Sequence, residues 1–205
     1  MCDWDAPLEI TTLPALLAAG VAAHGAGPAL EFRGATVSYD TLAREVERLA
    51  SGLAAAGVKR GDNVALLLPN TPYHPIAFFA LTRLGARVVH ISALDARREI
   101  LHKVKATGAR RLITTNLPGF LPHGLEMIEA GVVDEVLVGD DARWGAGDVA
   151  PLPMPDGEKV RDLAAFFSDA PLTAPLPDVD DIAVLQFTGG TTGLPKAAML
   201  SHGNL

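Results

Sequence analysis

The chain of 205 residues has one cysteine, Cys2. That excludes an intramolecular disulfide and a cysteine-built metal site, and it fits a reducing, cytoplasmic setting. It lacks basic excess: 17 Lys and Arg stand against 24 Asp and Glu, a formal net charge of −7. A nucleic-acid binder needs a basic face to displace phosphate counterions, so that class is set aside. It also lacks a membrane-spanning run. Leu13 to Leu30 has no Asp, Glu, Lys or Arg, but Pro14, His24, Pro28 and three glycines leave it too weakly apolar to span. It predicts a surface helix followed by a loop, with peripheral membrane contact left open. The acidic start Met-Cys-Asp-Trp-Asp predicts no signal peptide.

What is present is the composition of a globular protein, 49% hydrophobic and 20% charged. Residues 38–56 predict an amphipathic helix, with Leu42, Val46, Leu49, Leu53 and Ala56 on one face. Ser38 or Asp40 caps its start and Gly57 ends it. Val64 to Leu68 is a continuous apolar run of the kind that forms a strand covered on both faces. Helices near 75–84, 97–107 and 122–130 then alternate with strands at 87–91, 111–115 and 134–138. Strand starts at 64, 87, 111 and 134 give steps of 23, 24 and 23 residues, the length of a βα unit. The expected class is α/β, a mostly parallel sheet with helices on both faces.

Residues 139–180 hold six of the 15 prolines and predict an irregular connection with a short helix near 160–168. Asp181 to Phe187 predicts another buried strand. The whole chain, 1–205, divides on this reading into an N-terminal helix and lead-in (1–37), repeated βα units (38–138), the connection (139–180), and a strand with a glycine-rich loop (181–205).

That loop carries the chemistry. Residues 187–202 read Phe-Thr-Gly-Gly-Thr-Thr-Gly-Leu-Pro-Lys-Ala-Ala-Met-Leu-Ser-His. Gly189, Gly190 and Gly193 permit backbone angles that turn consecutive N–H groups toward one point, a nest for phosphate oxygens. Thr188, Thr191 and Thr192 add hydroxyls, and Lys196 adds a cation. Following a buried strand, the loop belongs at the carboxyl edge of the sheet, where open α/β sheets bind ligands. It is not the P-loop of NTPases, since Pro195 precedes Lys196 and no Ser or Thr follows it. Gly25-Ala-Gly27 lacks both the preceding strand and the third glycine of a dinucleotide fingerprint, and reads as a turn. The pairs Arg97–Arg98 and Arg110–Arg111 read as ordinary solvated charges rather than a phosphate patch. His24, His74, His90, His102 and His123 show no metal-ligand spacing.

The stretch resembles the phosphate-binding signature of adenylate-forming (AMP-binding) enzymes: acyl-CoA synthetases, peptide-synthetase adenylation domains and luciferases. Phe187, Thr188, Gly190, Thr191, Thr192, Gly193, Pro195, Lys196, Ser201 and His202 match it; Gly189 stands for the usual Ser and Ala197 for the usual Gly. With Leu185-Gln186 and Asn204, it is similar to the variant in bacterial long-chain fatty acyl-CoA ligases. Gly57 to Asn70 and Leu81 to Val89 resemble the family's first βα units, whereas Ile91-Ser-Ala-Leu-Asp95 replaces its usual Asn-Pro-aromatic stretch.

The resemblance implies the first part of the N-terminal domain of an acyl-CoA synthetase-like fold. It implies ATP, Mg2+ and CoA as co-substrates, a small-molecule carboxylic acid as substrate, and fatty acids as the expected acids. Thr188, Gly189, Gly190, Thr191, Thr192 and Gly193 would contact phosphate. Lys196 would pair with phosphate or with an acidic residue that fixes the loop. His202 either shapes the acyl or nucleotide pocket or lies in the first turn of a helix capped by Ser201. The family's adenine, ribose and CoA determinants have no counterpart in these residues, so the 205-residue chain alone is expected to be inactive. Ligation of dicarboxylic or aromatic acids, or a short non-catalytic binding module keeping the fold, are the alternatives.

Overall fold

The structure, a computed structural model, describes residues 10–92, 94–188 and 196–205. Helix α1 (Leu13–His24) is capped by Thr12, whose hydroxyl accepts from the Ala15 N–H at 3.3 Å. The expected loop after it is instead a hairpin, β1 (Pro28–Phe32) and β2 (Ala35–Ser38). Arg33 and Gly34 form its two-residue turn at φ 49° and 77°, the left-handed pair that matches strand twist. Arg33 carries that conformation without the Asn or Asp that usually announces it, while its guanidinium bonds the buried Asp141 carboxylate at 2.8 Å.

Helix α2 (Tyr39–Ala55) starts on Ser38, whose hydroxyl accepts from the Thr41 N–H. The chain then alternates as its periodicity predicts: β3 (Asn63–Leu66), α3 (Tyr73–Arg83), β4 (Arg87–His90), α4 (Arg97–Thr107), β5 (Arg111–Thr115), α5 (Leu121–Glu129) and β6 (Glu135–Gly139). A seventh strand in this line, β7 (Val160–Asp162), and a 3-10 turn at Leu163–Phe166 take the place of the helix expected near 160–168. Val160 pairs in parallel with Val136 at the sheet edge, and the Asp162 carboxylate caps the Ala164 N–H at 2.8 Å. Leu163 and Phe166, three apart and both buried, imitate a helical stripe over a single turn. Last come β8 (Ile182–Thr188) and β9 (Lys196–Ser201).

The larger sheet has the order β7-β6-β5-β3-β4-β8-β9, parallel throughout except for β9. Strand residues alternate between two cores. Val64, Leu66, Val88 and Ile113 face α1, α2 and α3; Ala65, Leu67, Val89 and Leu112 face α4 and α5. Helices therefore cover both faces, which is why the sheet strands read as continuous apolar runs. The path leaves β3 toward β4, then crosses back over β3 to reach β5. This reversal opens a crevice at the carboxyl ends of the strands.

Three of the four residues in the basic pairs are spent on structure, and the fourth, Arg98, is exposed. Arg110 bonds the Asp134 carboxylate, Arg111 bonds Glu135 at 2.6 Å, and Arg97 pairs with Glu126. Among the described residues, no helix is long and apolar enough to cross a membrane.

Candidate functional site

Strand β8 brings the glycine-threonine stretch to the carboxyl edge. Its backbone pairs with β4 through Val184 and Leu185, and Gln186 to Thr188 run on as a ladder with β9, while the Gln186 side chain bonds His90 of β4. Lys196, the first residue of β9, stands in register with Thr188. Two of the expected phosphate contacts, a hydroxyl and an ammonium, thus face each other at the neck of the loop, both exposed. Gly189, Gly190, Thr191, Thr192 and Gly193 lie outside the described residues.

His202 goes elsewhere. It is 2% exposed, and its Nδ1 accepts from the Leu13 N–H at 3.2 Å, so it ties the end of β9 to the start of α1. Its Nε2 finds no partner in the hollow it shares with Ile10 and Leu16. Burial pushes its pKa below the ordinary histidine range, partly offset by Asp181. It opens a 3-10 turn, His202–Asn204, in which the Asn204 carboxamide accepts from the Ser201 N–H and hydroxyl. One expectation placed His202 in the first turn of a helix capped by Ser201; the position and the cap are as expected, but the helix is a single 3-10 turn. Before it, Lys196 to Ser201 form a strand, in a six-position ladder on β8.

Beside the neck lies a cleft of about 760 Å³, walled by the carboxyl ends of β3, β4 and β8 and by α4. Lys103 of α4, 7% exposed, reaches into it. Its ammonium bonds Asp95 at 2.5 Å and sits 5.5 Å from the centroid of the Phe187 ring. Asp95 also accepts from the Ser92 N–H, and Glu99 from the Ala96 N–H, so both carboxylates are committed to shaping the β4–α4 loop. On the opposite wall His74 and His90 face each other, Nε2 to Nε2, at 3.2 Å. Burial pushes both imidazoles below the ordinary range.

Sequence reasoning missed Asp95, Lys103, His74 and His90 as sharing a cleft with Gln186 to Thr188. Their separations of 8 and 16 residues match no local motif; the departure at 91–95 from the family pattern was the one available signal.

The chemistry available at the neck fits a polyanion: an exposed hydroxyl and a full positive charge beside a polar cleft. No group of three or more His, Cys, Asp or Glu suited to a metal ion occurs among the described residues. A Mg2+ ion here would be held mainly by the phosphates it accompanies and by water, as Mg2+ commonly is.

Comparison with known proteins is consistent with this geometry. The family model for AMP-binding enzymes matches residues 17–205. A long-chain-fatty-acid–CoA ligase of Bacillus subtilis (strain 168) is 30% identical over 216 residues, covering 98% of this chain and 38% of the relative. A feruloyl-CoA synthase of an Amycolatopsis species is 34% identical over 177 residues, covering 86% of this chain and 30% of the relative. Among solved structures, an anthranilate CoA ligase in complex with anthranoyl-AMP superposes with a TM-score of 0.78 at 24% identity, over 97% of this chain and 36% of that one. The chain thus spans well under half the length of these relatives.

Proposed function

The chain belongs to the family of AMP-binding enzymes, and from that premise we propose that its whole protein is an ATP-dependent, AMP-forming acyl-CoA ligase. In the first half-reaction a carboxylate oxygen attacks the α-phosphorus of Mg-ATP. The bond to the bridging oxygen breaks, and pyrophosphate leaves with the electron pair. In the second, the CoA thiol attacks the acyl carbonyl, loses its proton, and expels AMP.

The observation that carries this reading is the register pairing of Thr188 with Lys196 at the carboxyl edge of the sheet. It holds a hydroxyl donor and an ammonium on either side of the loop through which the β- and γ-phosphates would be bound. In this proposal the backbone N–H groups of Gly189, Gly190 and Gly193 and the hydroxyls of Thr191 and Thr192 complete the cradle. Lys196 neutralises charge that grows on departing pyrophosphate, a contribution made mainly in the transition state. His202 acts at a distance, anchoring the far end of β9 on α1.

We place the reaction in the cytoplasm and take fatty acids as the substrates. Aromatic acids are the second reading, favoured by the 34% identity to the feruloyl-CoA synthase. The 205-residue chain by itself would bind ATP no better than about millimolar and would not turn over, since ordering a loop costs about 1–2 kcal/mol per residue. The test is ATP–pyrophosphate exchange by the whole protein with palmitate and ferulate in parallel arms. Exchange with either acid, lost at least about tenfold in Lys196→Ala at unchanged thermal stability, supports the proposal. Unchanged exchange in that variant refutes the role of Lys196, and no exchange with any acid refutes the ligase reading.

A further inference from the structure

The free end of β8 needs a hold besides its ladder to β9. Its backbone leaves β4 after Leu185, and both residues of the neck, Thr188 and Lys196, lie beyond that point. Side chains alternate along a strand, so the two faces of this end meet different neighbours. Gln186 bonds His90, whereas Phe187 packs against the core under α4 and α5. Over the Phe187 ring stands the Lys103 ammonium.

A lysine is ordinarily solvated, but Lys103 is 7% exposed. Its ammonium lies 5.5 Å from the ring centroid, inside the reach of about 6 Å over which a cation is drawn to an aromatic face. A buried ammonium also needs an anionic partner, and Asp95 supplies one at 2.5 Å. Asp95 is itself fixed, since it accepts from the Ser92 N–H at 3.0 Å. One charge thus joins α4, the turn after β4 and the last aromatic of β8. The ring it holds immediately precedes Thr188, and Phe187 stands in register with Ala197, the neighbour of Lys196.

We propose that Lys103 is a positioning residue of the phosphate neck. Through the Phe187 ring it fixes the backbone of Thr188 and, across the ladder, that of Lys196. The competing role for the Lys103–Asp95 pair is to shape the β4–α4 turn alone.

Nuclear magnetic resonance of the 205-residue chain separates the two roles. In the parent, the Phe187 ring current should displace the Lys103 ε-methylene protons upfield, and Phe187→Leu should abolish that displacement. Lys103→Met keeps the side-chain length without the charge, and should move the amide resonances of Thr188, Lys196 and Ala197. Lys103→Arg keeps the cation and should return them toward the parent positions. Undisplaced ε-methylene protons in the parent would overturn the proposal even if Lys103→Met packs poorly. So would shifts in Lys103→Met that stop at Ser92 and Asp95. The consequence for catalysis rests on the ligase reading. In ATP–pyrophosphate exchange by the whole protein, Lys103→Met should lower kcat about tenfold and Lys103→Arg less than about threefold. Combined with Phe187→Leu, the losses should be less than multiplicative, because both substitutions remove one contact. Parent-level kcat in Lys103→Met would overturn the positioning role. Absence of exchange in the parent would instead refute the ligase reading, and the resonance shifts would still decide whether Lys103 sets the neck.

Discussion

Replacing Gly52 by alanine sets two effects of opposite sign against each other. Gly52 lies within α2, where alanine is ordinarily favoured by about 1 kcal/mol. Here the added Cβ would lie 1.7 Å from the Phe166 carbonyl oxygen and 2.5 Å from its carbon. Both are backbone atoms, so no side-chain rotation relieves the overlap. The turn Leu163–Phe166 must move away from α2. Leu163 is fully buried and Phe166 is 2% exposed, and each is worth about 1.5–3 kcal/mol when buried. The same movement strains the Ser51 hydroxyl bond to the Ala170 carbonyl at 2.7 Å and the Ser168 N–H bond to the Arg48 carbonyl at 3.0 Å. Losing both apolar contacts and gaining the helix preference leaves a net destabilisation of about 2–5 kcal/mol. Urea unfolding of the 205-residue chain, followed by far-UV circular dichroism, measures it. A stabilised Gly52→Ala protein would show that residues 163–170 do not dock on α2, and the closest backbone approach in this part of the fold would be wrong.

Stability should also fall as pH drops below about 6.5, because an imidazole with a depressed folded-state pKa resists a proton that the unfolded chain accepts. His74, His90 and His202 all shift in this direction, by burial first, while the depressed carboxyls of Asp134 and Asp181 stay ionised through this window. Urea midpoints at pH 7.5 and 5.5 check it: the difference should shrink in His202→Gln, and equal midpoints in the parent chain would contradict it. Tyr73→Phe removes the hydroxyl that donates to the Asp140 carbonyl at 3.1 Å in a buried setting, and should cost about 1 kcal/mol in the same assay. Gly139→Ala should cost more than Tyr73→Phe, since its Cβ would meet the Tyr73 ring at 2.7 Å.

The sequence displayed the βα units because each strand is buried on both faces and each helix on one, so the apolar period changes at every boundary. Residues 97–107 show this directly: the helix read from the sequence and the observed α4 coincide. The hairpin at 28–38 was hidden because Arg33 fills a left-handed position with no sequence mark, and β7 because three residues cannot display a period. At the site, the glycine-threonine motif was legible as a local string. Its surroundings were not, since the cleft is assembled from β3, β4, α4 and β8 by a crossover that no single segment records.

The return of the chain as β9 has an electrostatic consequence. Where a glycine loop opens into a helix, the aligned peptide dipoles supply about half a positive charge at no cost in side chains. Strand dipoles alternate and nearly cancel, so Lys196 to Ser201 add almost no field of their own. On the proposed reading the attraction for a polyphosphate at this neck then falls to the loop's own N–H groups and to discrete charges, above all the exposed Lys196 ammonium, on a protein of net charge −7. A point charge in contact with solvent is screened over about 8 Å at physiological ionic strength. It draws its anion only at close range and gives it up readily once the charge on the phosphates is reduced. On the ligase reading proposed above, in which this site takes in a triphosphate and later parts with pyrophosphate, a strand at this position would make release as much a property of the fold as capture.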